Sequence, residues 1–301
     1  MTVPIRNDLP VQADDVTLHY GAQAVLKQVS LHLPAGAVVG LVGRNGAGKS
    51  SLLRCLAGLT LPGSGHCSLF GCSSAHLSDD IRARMGFVGQ NGDLLPWLTT
   101  AQHLRYIGSF YPNWQEARVR SLCTRLDLPW DKKASTLSLG DQQKLALVLA
   151  LGHDPDLLLL DEPVSSLDPM ARREFMRFLF EVDASRTSPR TVLLSSHLLS
   201  DLERVVSHVV FLREGQVQLQ GTWDELLESV RRVEVAEAMP NPAAGVLAQR
   251  RLGSGRYQLI VDSRLAPHHA ASGTPLSLED LFVELNSAHG APTPTQEAFS
   301  C

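Results

Sequence analysis

Uninterrupted apolar runs recur along this chain, and most give way to a glycine turn or to a helix-like repeat. Val38-Val39-Gly40-Leu41-Val42 and the four leucines 157–160 have no polar alternation, so they read as strands buried on both faces, and residues 191–195 read as a further strand. Residues 49–57 carry apolar positions at helical spacing, with Gly58 as the stop. Residues 98–110 and 114–126 do the same on either side of Tyr111-Pro112-Asn113, so the region from 93 to 133 is predicted mostly helical. A further helix is predicted from near Asp141 and another after Pro169. Strands alternating with helices imply an α/β fold with a mainly parallel sheet. Ahead of that core, 16–20 and 29–33 read as strands of a small sheet, and 86–88 as another strand. Beyond about residue 230 the pattern changes. Residues 239–244 are rich in proline and alanine and read as a linker, and 256–261 read as a strand. Residues 277–285 form a capped amphipathic helix with Leu278, Leu281, Phe282 and Leu285 on one face. The expected layout is a leader over 1–12, a main domain over 13–230 with a helical part at about 91–145, an α+β appendage over 231–286, and a disordered tail over 287–301.

The strongest chemical signal is Gly43-Arg44-Asn45-Gly46-Ala47-Gly48-Lys49-Ser50, with Ser51 following. Glycines let the backbone curl so that successive N–H groups point inward at phosphate oxygens, and the helix starting near Lys49 adds its positive end. Lys49 brings a charge to the β- and γ-phosphates, and the Ser50 hydroxyl is a Mg²⁺ ligand. The pattern arises by chance in about 1% of chains of this length, and here it also lies between a buried strand and a helix. The second signal is the apolar run 157–160 ending in Asp161 and Glu162. Carboxylates at the C-terminal edge of a parallel strand sit where such sheets bind ligands. Asp161 is expected to help hold Mg²⁺ through water and Glu162 to act as general base toward the attacking water.

Composition adds exclusions. The chain has 301 residues, 44% of them apolar and 19% charged, as in a folded protein. A net charge of -4 gives no overall attraction for nucleic acid, and no such partner is expected. The five cysteines show no CxxC pair, which favours free thiols over a zinc site. The first ten residues lack the basic start and apolar run of a secretion signal, and the apolar runs are too short to cross a bilayer.

Between the two signals, Leu137-Ser138-Leu139-Gly140-Asp141-Gln142-Gln143-Lys144 precedes a helix and resembles the LSGGQ signature of the ATP-binding-cassette (ABC) ATPases. Four further elements fall in that family's order. Tyr20 stands where an aromatic stacks on adenine, Gln90 resembles the Q-loop glutamine, Ser165-Ser166-Leu167-Asp168 resembles the D-loop, and His197 the switch histidine. Each has a plainer reading: a half-buried strand tyrosine, a loop glutamine, a helix N-cap at Asp168, a structural histidine. Their ordered co-occurrence over residues 14–225 favours the family.

The resemblance implies a P-loop NTPase core that hydrolyses ATP with Mg²⁺. Gln90 and Asp161 would join Ser50 at the metal, and His197 would join Glu162 at the chemistry. It implies a second ATPase subunit, a copy or a paralogue, whose triphosphate is met by Ser138, Gly140 and Asp168 of this chain. It further implies a polytopic membrane permease, and hence a cytoplasmic location on the inner face of the cell membrane. The Ser277–Phe282 stretch, SLEDLF, resembles the ending of exporter ATPases, which points to export. Leu139 and Asp141 depart from the signature. Asp141 aimed at a phosphate ~7 Å away would cost about 2 kcal/mol at an effective dielectric of ~20, so it is expected to face outward in the first turn of its helix. Competing readings are an ATPase of translation or DNA repair, a cytosolic assembly-scaffold ATPase, and, more distantly, a dinucleotide oxidoreductase, whose G-x-G-x-x-G loop this chain lacks.

Overall fold

The computed structural model describes residues 9–90, 92–180, 190–196, 199–239, 244–267 and 273–287. Its centre is a six-stranded sheet in the order β10-β9-β3-β8-β7-β6. These strands are β3 (Val38–Val42), β6 (Met85–Val88), β7 (Leu157–Asp161), β8 (Thr191–Ser195), β9 (His208–Arg213) and β10 (Gln216–Thr222). All neighbours pair in parallel except the edge hairpin β9–β10. Every residue of β7 and β8 is buried, and for β7 the leucine run 157–160 predicts it. Truncating one of the fully enclosed leucines, such as Leu158, would cost about 2–5 kcal/mol. The hairpin turns through Glu214 (φ 49°) and Gly215 (φ 80°), the two left-handed positions that a tight two-residue connection demands.

A second sheet, β2-β1-β4-β5, is antiparallel and lies toward the N-terminus. It comprises β1 (Val11–Tyr20), β2 (Gln23–Leu33), β4 (Ser64–Leu69) and β5 (Cys72–Ser73). Strand β1 opens at Val11, which is fully buried, so the stretch read as a leader over 1–12 is corrected at its end. Both long strands start earlier than their apolar runs suggested, because bulges at Asp15 (φ 49°) and Gln28 (φ 53°) interrupt the alternation without ending the pairing.

Helix α1 (Lys49–Leu56) follows the glycine loop and stops at Gly58, which has φ 71°. After α2 (Asp79–Ala83) come α3 (Thr100–Gly108) and α4 (Glu116–Arg125). Both helices are shorter than predicted. A capping box of Thr99 and Gln102 opens α3. The Trp114 indole closes it: its ring lies against Gly108 and Gly152, where a Cβ would meet it at 2.8 Å and 2.3 Å. Trp114 is therefore packed between elements and does not open α4. Helix α5 (Leu139–Leu151) lies between α3 and α4 on one side and β6 on the other, which accounts for its nearly continuous apolar sequence. Helices α6 (Pro169–Phe180), α7 (Leu199–Leu202) and α8 (Trp223–Ser229) complete the core.

The C-terminal region forms a third sheet, β12-β13-β11-β14, all antiparallel, from β11 (Val230–Val235), β12 (Val246–Arg251), β13 (Tyr257–Asp262) and β14 (Thr274–Pro275). It precedes α9 (Leu278–Ser287). Only β13 and α9 were predicted individually. Ile260, Leu276, Leu278, Leu281 and Leu285 join the main core, and Arg213 Nη1 donates to the Leu285 carbonyl at 2.8 Å. Of the stretch read as a linker over 239–244, residues 240–243 lie outside the described residues, as does nearly all of the tail from 287.

Candidate functional site

Strand β8 sits between β3 and β7, with Ser195 paired to Leu41 on one side and to Asp161 on the other. The loop leaving β3 and the two acids leaving β7 are thereby brought to one edge, where the strand order reverses and α/β sheets bind ligands. Gly43 admits no side chain, since a Cβ there would stand 2.3 Å from the Leu212 carbonyl oxygen. Gly48, at φ 106°, caps α1 in a conformation closed to other residues. The β9–β10 turn supports the loop from behind: the Gly215 N–H donates to Ala47 O at 3.0 Å, and the Gly215 carbonyl accepts from Lys27 N at 2.8 Å.

A cavity of about 310 Å³ opens at this edge. Asn45, Gly46, Gly48, Lys49, Ser50, Ser51, Gln90, Asp161 and Glu162 line it together with Val25. Gly43 and Ala47 belong to the same loop without lining the space. Tyr20, at the end of β1, is 52% exposed and also lies off the cavity. Ser138, Gly140 and Asp168 are not among its walls. His197 lies outside the described residues. A larger cleft of about 750 Å³ is lined by Lys144, Asp168, Arg173 and Arg177, among others. Two of its cations are already paired, Arg125 with Glu174 at 2.6 Å and Lys144 with Asp141 at 3.1 Å, and it contains no glycine loop, so it is the weaker candidate for phosphate.

Lys49 is 7% exposed and turns its ammonium back onto the loop, donating to Gly43 O at 2.8 Å and Arg44 O at 3.3 Å. Glu162 Oε1 is 3.9 Å away. Burial pushes the Lys49 ammonium below the usual lysine value, while Glu162 and Asp161 pull it back up. The donor set around the cavity, a Ser50 hydroxyl, a Gln90 amide and a buried Asp161 carboxylate, consists of the hard oxygens that suit Mg²⁺.

Two residues that sequence reasoning passed over hold the acids. Ser195, fully buried, donates to Asp161 Oδ1 at 2.7 Å and accepts from the Glu162 N–H at 2.8 Å. Gln143 of α5 donates to the Glu162 carbonyl at 2.8 Å and accepts from the Ser166 N–H at 2.9 Å. Ser165 Oγ adds a third bond, to Glu162 O at 3.0 Å. Together they keep Glu162 at φ 50°, a left-handed backbone unusual for glutamate and common at functional positions. A polar residue ending a buried strand and a glutamine inside an apolar helix were the only sequence hints.

At the start of α5, Ser138 caps the helix by accepting from Asp141 N at 3.1 Å. Asp141 does lie in the first turn, but its carboxylate does not face outward as expected. It turns back to accept the Ser138 Oγ proton at 2.8 Å, because a serine cap and an acid three residues on can satisfy each other. Gly140 lies against the Ser166 carbonyl, which a Cβ would approach to 2.9 Å. Leu139 is 74% exposed. Asp168 caps α6: its carboxylate accepts from Ala171 N and Met170 N, which holds it below the usual carboxylate range.

A glycine loop with a buried lysine, facing two carboxylates at the open edge of a parallel sheet, defines a nucleoside-triphosphate site. A family profile described as "ABC transporter" matches residues 26–165, and a second one, for an AAA domain, matches 132–200. The chain is 31% identical to the Nod factor export ATP-binding protein I of Paraburkholderia xenovorans, over 91% of this chain and 96% of that one. It is 35% identical to the aliphatic sulfonates import ATP-binding protein SsuB of Escherichia coli, over 78% and 91%. A solved ATP-binding subunit of an ABC transporter superposes with a TM-score of 0.65 at 30% identity, covering 72% of this chain and 92% of that one. The chain belongs to the ABC transporter ATP-binding proteins and is an ATPase of that family. No helix among the described residues is long and apolar enough to span a membrane.

Proposed function

We propose that this chain is the ATP-driven motor of an exporter, working as a head-to-tail pair beneath a separate polytopic membrane subunit, on the inner face of the cell membrane. The observation that carries the pairing is spatial. Lys49, Ser50, Gln90, Asp161 and Glu162 line one cavity, while Ser138, Gly140 and Asp168 are absent from its walls. A triphosphate in that cavity is left open on the side where a second chain would present its own signature.

In this reading the triphosphate draws Lys49 away from the Gly43 and Arg44 carbonyls and separates it from Glu162. Glu162, held by Gln143, Ser165 and Ser195, then takes the proton of the attacking water. Mg²⁺, when bound by Ser50, Gln90 and Asp161, supplies charge neutralisation at the phosphates. His197 would touch the γ-phosphate and Tyr20 the adenine. Loss of the γ-phosphate opens the pair.

Two features support export over import: the SLEDLF segment that opens α9, and the 91% of the chain spanned by the Nod factor export relative against 78% for the sulfonate importer. The test begins with Glu162→Gln, which should bind ATP, lose most turnover and sediment as a stable dimer with ATP. A monomer at saturating ATP refutes the pairing. Recovery of the tagged chain from membranes should bring a polytopic subunit with it, whereas ribosomes or nucleic acid in its place would overturn the transport role.

A further inference from the structure

The signature serine has only one proton to give, and in this structure a neighbouring acid holds it. Ser138 Oγ donates to Asp141 Oδ2 at 2.8 Å, and Asp141 Oδ1 accepts from Lys144 Nζ at 3.1 Å. A phosphate oxygen can only accept. For Ser138 to reach a triphosphate across the seam, its hydroxyl must leave the carboxylate and point at a second anion beside the first. A hydrogen bond to a charged acceptor is roughly twice as strong as one to a neutral acceptor. Lys144, 12% exposed, neutralises part of the acid and so limits the opposition.

We infer that Asp141 is a positioning residue that latches the Ser138 hydroxyl, so that each copy of this chain clamps its neighbour's triphosphate less tightly than an uncharged residue at position 141 would allow. The inference rests on the head-to-tail reading above. The same chain supplies a control. At α9, Ser277 Oγ donates to Asp280 Oδ2 at 2.9 Å and accepts from Asp280 N at 3.1 Å, the identical pairing in a place with no phosphate to meet. The geometry is therefore ordinary helix capping, and its consequence at Ser138 comes from the ligand that hydroxyl must reach.

The experiment uses the full chain carrying Glu162→Gln, titrated with ATP–Mg²⁺ and followed by sedimentation. Adding Asp141→Asn should lower the ATP concentration for half-maximal dimerisation about tenfold, the difference between a charged and a neutral competitor for one proton. ATP affinity of the monomer should stay the same, and this also reports that the variant is folded; Asp141→Gln serves as the second variant. Lys144→Gln should shift dimerisation the opposite way, and Asp280→Asn should leave it in place. In a Ser138→Ala background the gain from Asp141→Asn should vanish. If Ser138→Ala weakens dimerisation but neither Asp141 variant strengthens it, the latch is wrong and the seam stands. If Ser138→Ala leaves dimerisation untouched, the seam itself fails and the latch falls with it.

Discussion

Removing one hydroxyl at Ser195 tests whether the acid pair is positioned as described. The side chain is fully buried and serves two partners, donating to Asp161 at 2.7 Å and accepting from the Glu162 amide at 2.8 Å. Ser195→Ala deletes a hydrogen bond to a carboxylate, about 1.5–3 kcal/mol, and strands a buried N–H, about 1–3 kcal/mol. The low ends of the two ranges together come to about 3 kcal/mol. Against a typical stability of about 5–15 kcal/mol the protein remains folded. Its melting temperature should fall by about 6–12 °C at 2–4 °C per kcal/mol. Because Asp161 and the Glu162 backbone lose a shared anchor, kcat should drop about 10–100-fold, as when an outer-shell partner of a metal ligand is lost. Calorimetry and a phosphate-release assay measure the two effects. A stability loss below about 1 kcal/mol together with unchanged kcat would refute the role given to Ser195.

Other outcomes follow from the same geometry. Burial lowers the Lys49 pKa in the free protein, and a bound triphosphate should raise it again. Binding should therefore take up a proton in the alkaline window between the lowered and the restored value, with ATP affinity falling as pH rises through it. Calorimetry in buffers of different ionisation enthalpy reads this, and Lys49→Ala should both weaken binding and abolish the uptake. Cys55, Cys67 and Cys123 are buried, with their thiols pushed up to about 11, 12 and 11. At neutral pH they should resist a maleimide, while the half-buried Cys72 reacts; mass spectrometry of peptides covering 55, 67, 72 and 123 checks it.

The core was legible because its chemistry is local. The glycines, Lys49 and the acids after β7 lie in short contiguous motifs, and fully buried parallel strands announce themselves as apolar runs. The C-terminal sheet was mostly missed for the opposite reason. In β11, arginines and a glutamate fall among the valines, and β12 has no fully buried residue, so neither shows a clean period of two. Strand β4, with Ser64, Gly65 and His66, has little strand propensity and exists through its pairing with β1. The early end of α3 could not be read from its own residues, since it depends on Trp114 reaching Gly108 and Gly152. Ser195 and Gln143 were hidden likewise, because what they hold is 19 to 34 residues away and is set by sheet register. Asp141 was placed in the right turn, but its orientation depended on a partner three residues back that the charge argument left out.

Gln143 lies five residues past Ser138 on α5, about 7.5 Å along the axis, and its amide grips the Glu162 carbonyl and the Ser166 N–H at once. In the proposed pairing, the surface offered to a neighbour and the machinery kept for the chain's own fuel are thus joined through one helix, like two ends of one crank. In an assembly of unlike halves, damage to either half would be felt at both fuel chambers. Energetic penalties measured in mixed pairs should then fail to add, and the shortfall would measure the stiffness of the joint.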